Sequence, residues 1–305
     1  MPKLNKLIKN YYIEKHKLKY NRNKCEKIII NILAVALILV TVFYIKNKFI
    51  DRQIVAKEYV RALAIPERAL IILKELSDKH GLDFTEVLAI YSLENNFYKD
   101  MGVTPVLTEI EQGFLLNYDT LKNKYKRVYP QYSKLFRDIL SSLVYFPVPE
   151  SFSGKVYEYT FANSWGAKRP YGGERAHEGT DIMDVKNIRG YIPIISMTDG
   201  VIENIGWNEY GGFRVGVRGE NNTYFYYAHF DSFNEELKKG DAVSAGGLLG
   251  YMGDTGYSVN EGARGNFAVH LHVGISPDTK LFKGEFWINP YPFLKLIENN
   301  KFIFN

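Results

Sequence analysis

The sequence predicts an α+β protein in which a transmembrane helix and a small all-α segment precede a C-terminal antiparallel β-sandwich domain. Three observations predict this fold class: an uncharged apolar run near the N-terminus, helical periodicity up to about residue 145, and short strand-like runs after it. Glycine usage changes at the same place, since 22 of the 25 glycines follow residue 150. We therefore divide the chain into residues 1–27, 28–45, 46–145 and 146–305.

The N-terminal tail, residues 1–27, is strongly basic. It carries nine Lys and Arg against two Glu, a local charge of +7, whereas the whole chain has a net charge of +5. Basic charge confined to a tail does not indicate a nucleic-acid-binding domain, so we expect no nucleic-acid partner. Such charge beside an apolar segment favours a cytoplasmic N-terminus.

Residues 28–45 form an eighteen-residue run without a charged side chain. A helix of that length approaches the roughly 30 Å thickness of the hydrocarbon core, which predicts a transmembrane helix. A cleaved signal peptide is the alternative, but the basic region is long and no small-residue cleavage site follows the run. We expect a single-pass protein of the cell membrane whose C-terminal domain is extracytoplasmic. The one cysteine, Cys25, precedes the run, so the exported part can form no disulfide.

Residues 46–145 show the signals of several helices. Pro66 and Gly81 stand at the ends of one periodic run, and Asp83 with Glu86 forms a capping-box pattern at the start of the next. We expect this segment to space the C-terminal domain from the membrane or to dock a protein partner.

Residues 146–305 alternate short apolar runs with turn signals. The predicted strands are YIPIIS, GVIENIGW, FRVGVRG, TYFYYAHF, LLGYMG and FAVHLHVGI. The preceding segment YFPVPES, residues 145–151, contains two prolines, which exclude a helix and predict a linker or an extended entry strand.

Two pairs of metal-binding side-chain types lie in this β region. His270 and His272 of AVHLHVGI are two residues apart on a predicted strand, so they share one face while their apolar neighbours face the core. His177 and Asp181 of HEGTD resemble the start of H-E-x-x-H but lack its second histidine. A catalytic zinc site uses three protein ligands. Both members of the second pair and one histidine of the first make such a set. The other histidine of the H-x-H pair, with His229 of YYAHF, is left for acid–base chemistry.

On these motifs, residues from about 158 to 292 resemble the lysostaphin/LytM-like zinc metalloendopeptidases, which cut peptide bonds in bacterial peptidoglycan. The similar stretches include SWGAKRPYGGERAHEGTDI, MTDGVIENIG, KKGDAVSAGGLLGYMGDTG and the closing INP. The resemblance implies a β-sandwich of the duplicated hybrid motif type and one Zn²⁺ per chain. The zinc ligands that it implies are His177, Asp181 and His272, and the catalytic histidines are His270 and His229.

The resemblance has further implications for the site. Peptidoglycan peptides would be the substrate, and Tyr171 would help to bind it and to polarise the scissile carbonyl. Glu178 would occupy a variable position and be a solvated loop carboxylate. The long loop YSVNEGARGNFAV after Gly256 would form one wall of the groove.

The function expected is therefore that of a membrane-anchored, extracytoplasmic zinc endopeptidase that remodels the cell wall. One alternative is a non-catalytic scaffold or activator of other cell-wall hydrolases, as in relatives of this family that have lost zinc ligands. A second alternative is a hydrolase in the helical segment, because LAIYSLENNF weakly resembles the catalytic helix of lysozyme-like transglycosylases and would make Glu94 the acid. A glutamate on a helix is more often simply solvated.

Overall fold

The computed structural model describes residue 14 and residues 29–42, 57–98, 109–169 and 171–304. These belong to two compact units, Met1–Ile54 and Val55–Asn305. In the first unit, residues 29–42 form a helix, α1, whose side chains are exposed. Within the predicted span 28–45, residues 28 and 43–45 lie outside the described residues, as does the basic tail apart from Glu14. Among the helices of the described ranges, none is both long and apolar enough to cross a bilayer.

The second unit begins with helices. Their bounds are α2 Lys57–Ala62, α3 Glu67–His80, α4 Phe84–Glu94, α5 Tyr118–Lys124 and α6 Tyr129–Leu140, with a π-helical turn at Ile110–Phe114, 3₁₀ turns at Asn96–Tyr98 and Leu115–Asn117, and a later helix α7 at Tyr291–Ile297. The predicted helices on both sides of Gly81 are thus confirmed, with boundaries that differ by a few residues.

The junction between α3 and α4 follows its sequence signals. Gly81 adopts a left-handed conformation (φ 64°), which suits glycine, and its N–H bonds back to the last turn of α3. The Asp83 side chain accepts hydrogen bonds from the first backbone N–H groups of α4, which is the N-cap half of the predicted capping box. The Glu86 carboxylate lies 2.5 Å from Lys122 Nζ and thereby ties α4 to α5.

The strands come next. Their bounds are β1 Ser151–Phe152, β2 Lys155–Val156, β3 Tyr159–Phe161, β4 Lys168–Arg169, β5 Arg175–Ala176, β6 Thr180–Asp184, β7 Pro193–Ile195, β8 Gly200–Asn208, β9 Gly212–Gly219, β10 Tyr224–Phe233, β11 Ala242–Val243, β12 Leu248–Met252 and β13 His270–Ser276. All six predicted strands are confirmed. Seven strands follow the antiparallel order β11-β8-β9-β10-β13-β6-β3, and β12 joins this sheet by pairing with β10 and β7.

Strand β10 changes partners within the sheet. Its first half pairs with β9 and β13, and a bulge at His229 turns its second half toward β12. His229 has φ +69°, a conformation that costs energy for a residue with a side chain and that re-aims the imidazole. All six predicted strands belong to this one branched antiparallel sheet.

The segment 145–151, which was predicted to be a linker or an extended entry strand, packs on the strand region. Its Phe146 and Val148 side chains are fully buried. The Phe146 N–H bonds to the Asn300 carbonyl, and the Ile195 N–H bonds to the Pro147 carbonyl. Burying one such aromatic side chain contributes roughly 2–3 kcal/mol to folding. The segment contains bends and becomes a strand only at Ser151, and its buried side chains are part of the core of the second unit.

Candidate metal centre and groove

The register of β13 brings two of the predicted ligands together. His272 stands directly opposite Asp181 of β6, and its other neighbour in the sheet is Ala228 of β10. Residues paired in this way have Cβ atoms only about 4.5–5.5 Å apart. His272 Nδ1 accordingly lies 3.0 Å from Asp181 Oδ1.

His177 completes the group from the segment that leads into β6. Its N–H bonds to the Ala167 carbonyl beside the β4–β5 hairpin, which places the ring under the end of the hairpin. Its Nε2 lies 3.1 Å from Asp181 Oδ1 and 2.9 Å from His272 Nδ1. The three atoms form a nearly equilateral triangle, and the three residues are a group that could hold a metal ion.

The chemistry of this donor set fits Zn²⁺. His177 Nδ1 lies 3.0 Å from the carbonyl oxygen of Ser164, which can only accept, so Nδ1 carries the proton and Nε2 offers a lone pair. Two imidazole nitrogens and a carboxylate oxygen are preferred zinc ligands. The edges of the triangle are close to the roughly 3.3 Å that tetrahedral bonds of about 2.0–2.1 Å would give.

Asp181 is held in the charged form that a metal ligand needs. Burial opposes its ionisation, but the contacts with His177 and His272 outweigh burial and keep the pKa of the carboxyl far below its ordinary value. Its second oxygen, Oδ2, accepts a hydrogen bond from the Arg169 guanidinium. Such an outer contact orients a ligating carboxylate. Sequence analysis did not identify Arg169, because it lies eight residues before the first ligand, on the far strand of a hairpin.

Gly179 leaves room for the His272 ring. A Cβ atom at this position would lie 2.3 Å from His272 Cε1 and 2.7 Å from the carbonyl oxygen of Val273. Both distances are far below van der Waals contact, so any larger residue here would displace a ligand or the strand that carries it.

The two remaining histidines lie beside the triangle. The ring centroids of His229 and His270 are 4.6 Å apart, and both side chains are buried. Each Nδ1 lies 2.7 Å from a backbone carbonyl, that of Thr255 for His229 and that of Ala268 for His270. Each Nδ1 therefore carries the proton, which leaves each Nε2 as a proton acceptor. His270 Nε2 is 3.7 Å from Asp181 Oδ1.

Burial keeps both of these imidazoles neutral. Desolvation lowers the pKa of His229 well below 6.5, and the neighbouring His270 lowers it further. Desolvation also lowers the pKa of His270, although the Asp181 carboxylate opposes the shift. Neutral imidazoles with a free Nε2 suit proton transfer at neutral pH.

All five residues border one groove with a volume of about 630 Å³. Its other walls include Arg175, Tyr210, Tyr226 and Trp287, which were not predicted to be site residues. Tyr257, the first residue of the long loop that was expected to form a wall, also lines the groove.

Tyr171 and Glu178, two other residues that the sequence singled out, contact residues outside the group of metal ligands. Tyr171 stacks on Tyr257, with ring centroids 4.8 Å apart, and its hydroxyl donates to Glu209 Oε1 at 3.3 Å. Its role in substrate binding stays a prediction. The Glu178 side chain is 42% exposed, so it stays in contact with solvent, and its Oε1 also lies 2.5 Å from Arg61 Nη2 of α2.

Three metal-ligand side chains beside two neutral imidazoles define a metallohydrolase-type centre in an open groove. Residues 175–283 match the description "Peptidase family M23", a range that includes the three ligands and both other histidines. The chain belongs to peptidase family M23. It is 36% identical to a lytM protein of known crystal structure from Ruminococcus gnavus ATCC 29149, with a TM-score of 0.66, and covers 95% of that chain and 83% of this one. Residues 146–305 are only 160 of 305 residues, so this likeness extends into the helices.

Curated relatives match over a shorter range. The L-Ala--D-Glu endopeptidase of Bacillus subtilis (strain 168) is 39% identical over 145 residues, which are 48% of this chain and 42% of the relative. The glycyl-glycine endopeptidase ALE-1 of Staphylococcus capitis is 35% identical over 105 residues, which are 34% of this chain and 26% of the relative. The chain thus spans less than half the length of these relatives.

Proposed function

We propose that this chain is a zinc endopeptidase that hydrolyses peptide bonds in bacterial peptidoglycan. The convergence of His177 Nε2, Asp181 Oδ1 and His272 Nδ1 within 3.1 Å of one another carries the proposal. The names of the relatives support the reaction class, since both curated relatives are endopeptidases.

The chain's own side chains divide the work of amide hydrolysis. Zn²⁺, when bound by the three ligands, supplies a Lewis acid that activates water and polarises a carbonyl. His229 and His270 each present an unprotonated Nε2 to the groove. One imidazole accepts a proton from water at Nε2 as the water attacks the carbonyl carbon. The imidazolium formed in this way donates that proton to the leaving amine as the C–N bond breaks, and the second imidazole is the acceptor for the proton that the new carboxylic acid releases. Arg169 holds the Asp181 carboxylate in place throughout.

Two linkages deserve comparison as substrates. The relative named for the L-Ala–D-Glu bond is 39% identical over 48% of this chain. The lytM protein, whose structure is described as that of a glycyl-glycine endopeptidase, is 36% identical over 83% of this chain. A bond of the stem peptide and a glycine cross-bridge are therefore both candidate substrates for the muropeptide test.

We also propose that residues 28–45 anchor the chain in the cell membrane, with the second unit on the extracytoplasmic side. The uncharged run and the +7 tail before it support this topology. Full-length protein should sediment with membranes after a high-salt wash, whereas a variant without residues 28–45 should be released. Release of the full-length protein by salt would contradict anchoring. Docking of a protein partner by residues 46–145 stays a prediction.

Mass spectrometry of muropeptides tests the catalytic proposal. Purified peptidoglycan incubated with the zinc-loaded chain should yield fragments with new free amino groups at one type of peptide bond. His270→Ala should abolish the products and His80→Ala, a histidine at the end of α3, should not. Unchanged muropeptides with the wild-type protein, zinc being bound, would overturn the proposal.

A further inference from the structure

Arg175 carries a positive charge for which the neighbouring side chains that the structure describes supply no negatively charged partner. It lies on β5, two residues before the ligand His177, and borders the groove. Its guanidinium carbon is 4.9 Å from the ring centroid of Tyr210 and 5.2 Å from that of Tyr257. Two aromatic rings thus fix the plane of the guanidinium.

The charge of Arg175 has no counterpart in the described part of the chain. Its Nε donates to the Tyr171 carbonyl at 3.3 Å, but its Nη2 is buried without a hydrogen-bond partner, and none of the ion pairs formed among the described residues includes it. Other arginines near the groove are paired, Arg169 with Asp181 and Arg61 with Glu178. A buried, charged donor without a partner is costly, so a bound ligand that supplies an acceptor to this group gains affinity.

The position of Arg175 places such a ligand in the groove. Arg175 lines the same groove as Tyr226 and the three metal ligands. The Tyr226 ring in turn lies 6.1 Å from the ring of His272, centroid to centroid. A planar guanidinium with free N–H groups is the side chain best suited to a carboxylate.

We propose that Arg175 binds a carboxylate of the substrate, so that the groove selects an acidic peptide over a neutral one. The inference rests on the proposed peptidase function and adds a substrate-binding residue and a substrate class to it. A hydrogen-bonded charge pair that forms only with the acidic peptide distinguishes it from the neutral one by roughly 10- to 100-fold.

A matched pair of peptides tests this inference. The two L-Ala–D-Glu peptides differ in one group, a free carboxylate or a carboxamide on the residue next to the scissile bond. Wild-type protein should cleave the carboxylate peptide with a kcat/KM about 10- to 100-fold higher. Arg175→Gln should reduce this ratio to about one without loss of bound zinc. Arg218→Gln, which removes an arginine of β9 paired with Glu203 away from the groove, should leave the ratio unchanged.

The outcomes separate the inference from the proposed function. Equal cleavage of both peptides by the wild-type protein, or a preference that survives Arg175→Gln, would overturn the inference and leave the peptidase function intact. Cleavage of neither peptide by zinc-loaded protein would count against the function. In that case, calorimetric titration of both peptides tests the inference separately, and equal affinities would overturn it.

Discussion

Arg61 Nη2 of helix α2 lies 2.5 Å from Glu178 Oε1, next to the zinc ligand His177. The Arg61 side chain is only 14% exposed, and its Nε donates to the carbonyl of Trp287 at 3.0 Å. One side chain therefore joins the helical region, the segment with the first ligand and a wall of the groove. The helices support the site directly.

Loss of this connection should destabilise the protein. We expect Arg61→Ala to lower the free energy of unfolding by about 2 kcal/mol, because it removes charge-assisted hydrogen bonds and leaves the Glu178 carboxylate without its partner. Urea denaturation of the zinc-loaded protein measures the change. The Glu58 side chain, the other ion-pair partner of Arg61, is 73% exposed. Glu58→Ala should therefore change the free energy of unfolding by less than about 0.5 kcal/mol. Equal effects of the two variants would contradict the structural role of Arg61.

Gly179→Ala should weaken metal binding. The new Cβ would meet the His272 ring at 2.3 Å, so the ring must move away from the triangle of ligands. We expect a loss of zinc affinity of about 10-fold or more, measured by competition with a chromogenic chelator. Gly113→Ala is the matched control, since a Cβ there has no atom within 4 Å. Unchanged affinity in Gly179→Ala would show that the ring tolerates displacement.

The two buried histidines outside the triangle should affect catalysis and not metal content. We expect His229→Ala and His270→Ala to lower kcat by about 10²–10⁴-fold, the usual contribution of a positioned acid or base, while each variant keeps one zinc per chain. Elemental analysis and peptide hydrolysis measure the two quantities on the same sample. Loss of zinc in either variant would instead show that the substituted histidine is a zinc ligand.

Activity should persist to a lower pH than an ordinary histidine would allow. The Nε2 acceptors must be unprotonated, and burial lowers the pKa of His229 and His270 below 6.5. As pH falls, kcat/KM of the zinc-loaded protein should therefore decline with a midpoint below 6.5. Zinc content determined at each pH separates this effect from metal loss. A midpoint at or above 6.5, with zinc retained, would contradict neutral, desolvated imidazoles.

The local part of the site could be predicted from the sequence. The spacing of His270 and His272 has a period of two, which is enough to place both on one face of a strand. The resemblance to a known family then assigned Asp181 and His177 as their partners. The pairing of Asp181 with His272 depends on the register between β6 and β13. That register is constrained by the alternation of side chains along each strand, because a slip of one residue would turn the ligands into the core.

Contacts between distant segments could not be predicted. No spacing rule connects Arg61 with Glu178, or Arg175 with the rings of Tyr210 and Tyr257, because these contacts depend on how loops and helices pack on the finished sheet. The prolines of the segment 145–151 correctly excluded a helix. They carried no information about burial, which depends on the strands that cover Phe146.

An anomalous-difference map at the zinc absorption edge tests the central claim most directly. Crystals of the zinc-loaded protein should show one peak per chain, within about 2.0–2.2 Å of His177 Nε2, Asp181 Oδ1 and His272 Nδ1. A peak bound by other residues, or zinc bound to His229 or His270 in place of Asp181, would contradict the account.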